Sequence, residues 1–192
     1  MPLKSSFLAS CAALLLSGVG AALAPAAHAA APLQPIASLT VPRYMGVWYE
    51  IAKFPNDFQK QCVGDTTATY TLQDDGRVQV VNRCRVADGK TDVADGVARQ
   101  LGGATSPRLK VRFAPAFLSF VPMVWGDYWV IDLDDKYQLS AVSEPKREYL
   151  WILSRTPQVE PAAYAALLAR LTAQGLDVSR LVRTPHTQSP QP

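Results

Sequence analysis

The chain contains 192 residues, 48% of them hydrophobic and 18% charged, with a formal net charge of +3 at pH 7. This length suits a single domain with one buried core. Lysine and arginine are interleaved with aspartate and glutamate and form no basic block that could follow a phosphate backbone, so we expect no nucleic-acid partner.

The first 29 residues have the parts of a secretory signal peptide. Lys4 precedes an apolar run from Phe7 to Leu23, and Ala27-His28-Ala29 provides a small-residue cleavage site. The run contains two glycines and is followed by Pro25, which makes it a poor membrane span. We therefore expect a cleaved signal over residues 1–29 and an exported protein, periplasmic or secreted, with association with the outer membrane as a further expectation.

A lipobox-like sequence, Leu8-Ala9-Ser10-Cys11, offers an alternative in which Cys11 carries a lipid and tethers the protein to a membrane. A lipobox ends the apolar run of its signal, whereas most of the apolar run here follows Cys11. The position favours cleavage near Ala29, and lipidation of Cys11 stays open as the alternative.

Short segments rich in Val, Tyr, Thr and Phe fill residues 39–183, between a predicted flexible leader (30–38) and a predicted disordered tail (184–192). Their spacing is typical of an antiparallel barrel or sandwich, and Asp74-Asp75-Gly76 predicts a hairpin turn. Residues 161–174 carry leucines at helical spacing and predict one amphipathic helix. The candidate strands are residues 48–54, 66–72, 78–85, 93–101, 109–113, 128–133, 138–143 and 149–154.

Several motifs resemble those of the lipocalin family, and they occur in the family's order. Gly46-Val47-Trp48 opens the first strand, Asp132-Leu133-Asp134 marks the turn between the sixth and seventh, and Arg155 closes the eighth. Asp135 departs from the pattern, since many lipocalins carry Tyr there. The amino-acid sequences of four segments are similar to those of bacterial outer-membrane lipocalins, plant temperature-induced lipocalins and apolipoprotein D. These segments are residues 46–52, 126–131, 149–157 and 175–179.

The resemblance implies an all-β fold, an eight-stranded up-and-down antiparallel β-barrel with one C-terminal helix packed outside. A barrel of this size can hold one small ligand. The resemblance further implies that the ligand is hydrophobic, a fatty acid or lysophospholipid, and that the protein transports or stores it without catalysis, in the maintenance of envelope lipids.

The topology of the barrel predicts two contacts between side chains that are distant in sequence. In an up-and-down barrel the start of the first strand and the end of the eighth lie at the same end, so Trp48 and Arg155 should meet there, guanidinium over indole. We expect Gly46, Trp48, Asp134 and Arg155 to be structural residues of this closed end. Cys62 and Cys84 both fall at the open end, and in an oxidising compartment they predict one disulfide.

The lumen face is assigned from alternation and from the resemblance. In residues 109–113 the charges of Lys110 and Arg112 should face water, which turns Val111 and Phe113 inward. Tyr70, Asn82 and Tyr128 are candidates for bonding a carboxylate or phosphate, and the sequence does not rank them. The predicted ligand-binding residues are Ala68, Tyr70, Val80, Asn82, Val111, Phe113, Tyr128, Val130, Leu139, Ala141, Trp151 and Leu153.

Residues 115–125, the apolar loop, are out of character for a connection between two strands. Phe117, Leu118, Phe120, Val121 and Trp125 would expose a large apolar area, which usually marks an interaction site. Among the possible roles of this loop we rank contact with a membrane or ligand uptake first, a dimer contact second and buried packing third. The expected oligomeric state is a monomer or a weak homodimer.

An enzyme is the rival class, and the histidines weigh against it. The chain has two; His28 falls in the signal and His186 in the tail, which leaves none in the predicted barrel as base or metal ligand. We therefore expect no catalytic residue, no cofactor and no metal. A lipocalin-fold enzyme, or a filled barrel that acts as a protein-interaction module, stays as the alternative.

Overall fold

The computed structural model describes residues 31–187; the predicted signal peptide with Cys11, and residues 188–192, lie outside this range. Helix α1 is a single turn, Val41–Tyr44, and α2 spans Pro161–Ala173. No helix in residues 31–187 is long and apolar enough to cross a membrane. The strands are β1 (Gly46–Lys53), β2 (Cys62–Leu72), β3 (Val78–Val86), β4 (Thr91–Gln100), β5 (Arg108–Arg112), β6 (Gly126–Leu133), β7 (Leu139–Ser143), β8 (Leu150–Ser154) and β9 (Val182–Arg183).

The first eight strands form a closed antiparallel barrel. Each pairs with the next along the chain, and β1 completes the circle by pairing with β8 on one side and β2 on the other. At the closure Trp48 lies opposite Ala68, and Tyr49 lies opposite Ser154. The predicted up-and-down barrel is confirmed. Strand β9, which pairs with β1, was not predicted, because two residues are too few to show an alternating pattern.

The closed end is built around Trp48. Its ring is fully buried, its Nε1 donates to the carbonyl of Tyr44 at 2.8 Å, and the Arg155 guanidinium lies 3.9 Å from the ring centre. Arg155 also donates to the carbonyls of Val47 (2.8 Å) and Met45 (2.8 Å). The predicted pairing of Trp48 with Arg155 is confirmed, and the arginine ties β8 to the chain that leads into β1.

The two other residues predicted for the closed end also have structural contacts. Gly46 has φ +93°, a backbone conformation that other residues rarely adopt, whereas a Cβ there would make only an ordinary contact, 3.4 Å from Nη1 of Arg155; the site therefore needs the conformational freedom of glycine. The Asp134 carboxylate accepts from the backbone N–H of Gln138 and Leu139, each at 2.6 Å, and so shapes the turn between β6 and β7.

Buried apolar residues form two clusters, one on each side of the barrel wall. The outer cluster lies under α2, whose Leu167 and Leu171 are fully buried against β7 and β8 residues such as Ile152. The helix begins at Pro161, with the Glu160 carboxylate accepting from the N–H of Ala162 at 2.7 Å. The inner cluster fills the lower barrel around Trp48.

Both chain ends differ from the sequence prediction where the structure describes them. In the leader, Leu33 is buried in the outer cluster and the Ile36 N–H donates to Val130 O at 3.0 Å. In the tail, the Thr184 N–H donates to Ile51 O at 3.0 Å, and Pro185 O accepts from Asp65 N–H at 2.8 Å. Residues 31–38 and 184–187 are therefore parts of the packed domain, because apolar burial and backbone pairing outweigh their Pro-rich composition.

We expect Arg155→Met to lower the free energy of unfolding by about 2–4 kcal/mol, since it removes the cation from the indole and the charged donor from the carbonyls of Val47 and Met45. Urea unfolding measures this. Arg43→Met is the matched control, because Arg43 lies 4.0 Å from the Tyr137 ring centre but is exposed. Its expected cost is under about 1 kcal/mol, and equal costs for the two variants would contradict the role assigned to Arg155.

Candidate binding cavity

The barrel encloses a cavity of about 810 Å³, open at the end opposite Arg155. Its base is formed by Leu39, Val41 and Tyr44. Its rim comes from the connections that follow β1, β5 and β7, with Phe58, Val124 and Lys146 among the lining residues. Volumes of about 300–1,000 Å³ are typical of small-molecule sites, so this lumen has room for a ligand.

Most of the predicted lumen residues do line this cavity. Val130 instead is fully buried in the inner cluster with Trp48 and Val142. The cavity-lining residues among the predicted set are Ala68, Tyr70, Val80, Asn82, Val111, Phe113, Tyr128, Trp151 and Leu153.

The predicted lumen position of Leu139 and Ala141 is wrong. Both belong to the outer cluster under α2. All five residues of β7 are buried, because the helix covers the outside of this strand, so the strand has no polar face to mark the exterior. Ser140 and Val142 take the inward positions instead, Ser140 through a 3.1 Å hydrogen bond to the Tyr44 hydroxyl.

The expectation that Arg112 faces water is also wrong. Arg112 is only 6% exposed, and its Nη1 donates to the carbonyls of Ala114 (2.6 Å) and Pro115 in the chain that follows β5. The apolar loop folds back so that the Trp125 ring centre lies 5.2 Å from the Arg112 guanidinium and 4.5 Å from that of Arg99. Loop carbonyls and an indole face replace water around this charge.

Three tyrosine hydroxyls meet above the base of the cavity and form, with Ser140, a cluster that we call the floor. Tyr70 and Tyr128 are 3.0 Å apart, Tyr128 and Tyr44 are 3.2 Å apart, and Tyr44 contacts Ser140 at 3.1 Å. The Ser140 hydroxyl donates to Asp132 O, so Tyr44 must donate to Ser140, Tyr128 to Tyr44, and Tyr70 to Tyr128. Every hydroxyl hydrogen of the floor is therefore already used.

Burial keeps these phenols neutral. It raises the pKa of Tyr44 and of Tyr70, and it raises the pKa of Tyr128 well above the usual value. The floor thus carries no charge at physiological pH and offers an incoming ligand only hydroxyl lone pairs. The carboxylate-bonding role considered for Tyr70 and Tyr128 has no free donor hydrogen to support it.

Two polar side chains higher on the wall lack hydrogen-bond partners. The Oγ1 of Thr66 and the Oδ1 of Asn82 are buried without one, and both residues line the cavity. Asn82 was predicted on the lumen face. Thr66 was missed, although its two-residue spacing to Ala68 and Tyr70 puts it on that face and the alternation could have identified it.

Aromatic rings gather at the open end. Phe58 lies 5.2 Å and Trp151 5.9 Å from Tyr149, measured between ring centres, and Trp151 Nε1 donates to Oε1 of Gln59 at 2.9 Å. Gln59 in turn donates to the buried Glu50 carboxylate at 2.7 Å. This network was missed because it joins a loop residue to strand residues far away in sequence.

An ion pair of Glu50 and the predicted disulfide both lie near this end. Glu50 pairs with Lys53 at 3.2 Å, and its carboxylate also accepts from Thr184 at 2.6 Å. Cys62 and Cys84 are bridged across neighbouring strands, with Cα atoms 5.5 Å apart. The disulfide is confirmed.

His186 lies closer to the barrel than its place in the predicted tail suggested. Its Nε2 is 2.8 Å from the backbone oxygen of Glu50, and its ring packs edge-on against Tyr49. The imidazole is thus engaged with the wall beside β1. In residues 31–187 no group of three or more His, Cys, Asp or Glu side chains is placed to hold a metal ion.

The closed barrel, the external helix and the deep cavity are those of a β-barrel protein with room for a small ligand in its lumen. A family model described as a lipocalin-like domain matches residues 39–186. The chain belongs to the lipocalin family, whose members bind small hydrophobic ligands.

Within the family the chain is similar to three kinds of protein. It is 42% identical to temperature-induced lipocalin-1 of Arabidopsis thaliana, over 82% of this chain and 85% of that protein. It is 40% identical to the outer membrane lipoprotein Blc of Escherichia coli K12, over 73% and 75%. It is 29% identical to mouse apolipoprotein D, over 78% of each.

Solved structures agree with the fold. Insecticyanin from the tobacco hornworm Manduca sexta superposes with a TM-score of 0.63 at 20% identity, covering 81% of this chain and 85% of that one. Lobster apocrustacyanin A1 superposes with a TM-score of 0.60 at 15% identity, covering 77% and 79%.

The buried phenols predict alkaline instability. Above roughly pH 10 the unfolded chain releases phenol protons that the folded floor retains, so stability falls as pH rises, by about 1.4 kcal/mol per pH unit for each of the three groups. Urea unfolding between about pH 9 and 11, with phenolate absorbance, measures this. Tyr70→Phe should reduce the slope by about a third. Ionisation of all seven tyrosines in the folded protein would contradict the prediction.

Proposed function

We propose that the protein binds a fatty acid or lysophospholipid in its lumen, and transports or stores it without catalysing a reaction. The observation that carries the proposal is the 810 Å³ cavity, whose apolar wall stands on an uncharged floor. The ligand-binding residues we assign are the nine predicted residues that line the cavity. A second function, enzymatic or as a filled interaction module, is not favoured by any contact described above.

The size and lining of the cavity suit an acyl chain. Burial of apolar surface is worth about 25 cal/mol per Å², so a chain of a dozen or so methylenes gains most from a lumen lined by groups such as Val80, Val111 and Leu153. Ordering and desolvation on binding keep the affinity well below that sum.

The polar groups favour one orientation of the ligand. The floor has neither charge nor a free hydroxyl hydrogen, so an anionic head group would gain nothing there. The open end carries ionisable side chains on the cavity surface, among them Arg83, Asp92, Lys146 and Glu148. We therefore place the acyl end deep in the barrel and the head group at the open end.

We also propose that the apolar loop contacts a membrane. Phe117, Phe120 and Met123 are 72%, 80% and 93% exposed, and Met123 and Trp125 also line the cavity, so the exposed surface adjoins the open end. A lipid leaving a bilayer there would pass directly into the lumen. Leu118 and Val121 are partly buried and support the loop.

The proposed place of action is the periplasm or the outside of the cell, with a role in envelope lipid maintenance. The predicted signal over residues 1–29 supports export, and the similarity to an outer membrane lipoprotein supports association with the outer membrane. A monomer or weak homodimer is the oligomeric state we expect.

Blocking the cavity tests the binding site. Ala68→Phe should weaken the binding of an oleoyl lysophospholipid by about tenfold or more, because the ring takes the volume of the acyl chain. Quenching or enhancement of Trp151 fluorescence reports binding, with Trp151→Phe as the control for the signal. Ala166→Phe, on the exposed face of α2, is the size-matched control.

A contrasting outcome is expected on β7. Ala141→Phe should lower stability, since Ala141 is fully buried under α2. Undiminished binding by a folded Ala68→Phe variant would refute the lumen site and leave the apolar loop as the better candidate.

Vesicle binding tests the loop. Replacing both Phe117 and Phe120 by serine should reduce partition onto phosphatidylcholine vesicles by about tenfold or more per ring, because each buried phenyl group is worth about 1.5–3 kcal/mol. Flotation of the protein with the vesicles measures it. Val182→Ser, at an exposed position on β9, is the control. A double variant that floats like wild type but loses self-association by ultracentrifugation would assign the loop to a dimer contact instead.

A further inference from the structure

Residues 184–187, the C-terminal segment, complete the side wall of the barrel where β1 and β2 are not paired with each other. The two strands pair only near the start of β1. Beyond that point the C-terminal segment lies between them, since Thr184 N–H donates to Ile51 O at 3.0 Å and Pro185 O accepts from Asp65 N–H at 2.8 Å. This stretch of the wall is thus made by a segment that follows the barrel strands in sequence.

The cavity lies directly behind this segment. Glu50 lines the cavity and is only 3% exposed, and its carboxylate accepts from the Thr184 hydroxyl at 2.6 Å. On the other edge, Thr66 also lines the cavity and follows Asp65 in β2. The C-terminal segment is therefore the layer that separates this part of the cavity from solvent.

The segment is attached mostly by polar contacts. Thr187 donates to the Asp65 carboxylate through its backbone N–H at 2.6 Å and through its hydroxyl at 2.7 Å, and His186 adds an edge-on ring contact with Tyr49. Residues 184–187 are partly or fully exposed, and none of them belongs to the inner or the outer apolar cluster. Segments with few buried apolar contacts can open locally while the rest of the fold stays intact.

We infer that the C-terminal segment is a detachable part of the wall, and that its release opens a second entrance to the lumen between β1 and β2. The inference goes beyond the proposed function, because it concerns a route into the cavity and not the identity of the ligand. The edges of this entrance are polar, with the Glu50 carboxylate on one side and Thr66 on the other. It therefore admits water and uncharged molecules more readily than anions, which the carboxylate repels.

A second entrance has a kinetic signature that a damaged binding site does not have. It speeds association and dissociation by the same factor and leaves the dissociation constant unchanged, because the free and the bound states stay the same. Loss of a contact with the ligand acts mainly on the dissociation rate and so raises the dissociation constant.

Gly64→Ala is the variant that expels the segment. An added Cβ would lie 2.7 Å from Pro185 O and 2.8 Å from the Arg85 guanidinium; the arginine can move aside, whereas the backbone oxygen moves only with the segment. The uncharged dye N-phenylnaphthylamine, which fluoresces in apolar surroundings, is mixed with the purified full chain in a stopped-flow instrument. Both rate constants should rise by about tenfold in the variant, while the dissociation constant changes by less than about twofold.

Two controls and a second variant accompany it. Ile152→Val lowers the stability of the barrel from the outer cluster, away from the cavity surface, and should change neither rate constant. Anilinonaphthalene sulfonate, an anionic dye, should gain less speed than the uncharged dye in Gly64→Ala. Replacing Thr184 and Thr187 together by valine keeps their shape but removes their hydroxyl hydrogen bonds, and should raise both rate constants for the uncharged dye by about threefold.

Hydrogen exchange measures the release of the segment in the wild type. The Asp65 amide, which donates to Pro185 O, should exchange faster than the amides that pair β2 with β3, and faster still in both variants.

The outcomes separate this inference from the proposed function. If the wild-type Asp65 amide is as protected as the amides between β2 and β3, the segment is not detachable and the inference is refuted. It is also refuted if the variants release the segment but leave both rate constants unchanged, or if only dissociation speeds up and binding weakens. In each of these cases the lumen function stands. If the wild type does not bind the uncharged dye, the lumen is not a binding site, and the proposed function and the inference fail together.

Discussion

The stack of Arg155 on Trp48 sets the geometry on which the rest of the barrel depends. The guanidinium contacts the indole face while donating to the carbonyls of Val47 in β1, Met45 just before it and Arg43 in α1, so one side chain joins the end of the last barrel strand to the first strand and to α1. Because Trp48 points inward at the base, the alternation of side chains determines which residues of β1 face the lumen. The pairing of Trp48 with Ala68 then determines which residues of β2 face it. Because this end is filled, the cavity opens at the other.

Above that base, some polar side chains of the lumen are fully hydrogen-bonded and others have unpaired atoms. The floor tyrosines and Ser140 form a chain of hydrogen bonds that ends on the Asp132 carbonyl, and each donor is used. Thr66 and Asn82 on the wall have no such partners. Proteins satisfy buried polar groups almost everywhere, and departures from that rule are expected at functional sites. The hydrogen-bonded floor is a structural support, whereas Thr66 and Asn82 leave one polar atom each unpaired.

The sequence predicted the parts of the fold that have a local or topological signature. Eight short alternating strands, the helix after them, the Trp48–Arg155 contact and the disulfide all follow from spacing and chain direction. The phase of β7 could not be predicted, because α2 buries its outer face and both faces of the strand are then apolar or small. The loop that covers Arg112 and the partnerless state of Thr66 depend on contacts between distant segments, which alternation within one strand does not contain.

The C-terminal segment, residues 184–187, fills a gap in the side wall of the barrel between β1 and β2. β1 pairs with β2 only from Gly46 to Tyr49, and a bulge near Ile51 then turns it towards β8 and β9, so the upper parts of β1 and β2 separate. Residues 184–187 enter this gap: Thr184 N–H donates to Ile51 O, and Asp65 N–H donates to Pro185 O.

The C-terminal segment packs so closely against β2 that position 64 must be glycine. A Cβ on Gly64 would lie 2.7 Å from Pro185 O, so only glycine leaves room for the segment. Burial opposes ionisation of Asp65, but hydrogen bonds from Arg85 and Thr187 outweigh it and lower its pKa to about 2. That contribution to stability is complete above the unfolded-state pKa of about 4 and is lost as pH falls towards 2. At neutral pH the Asp65 carboxylate is therefore ionised and keeps its hydrogen bonds to Arg85 and Thr187, which hold residues 184–187 against β2.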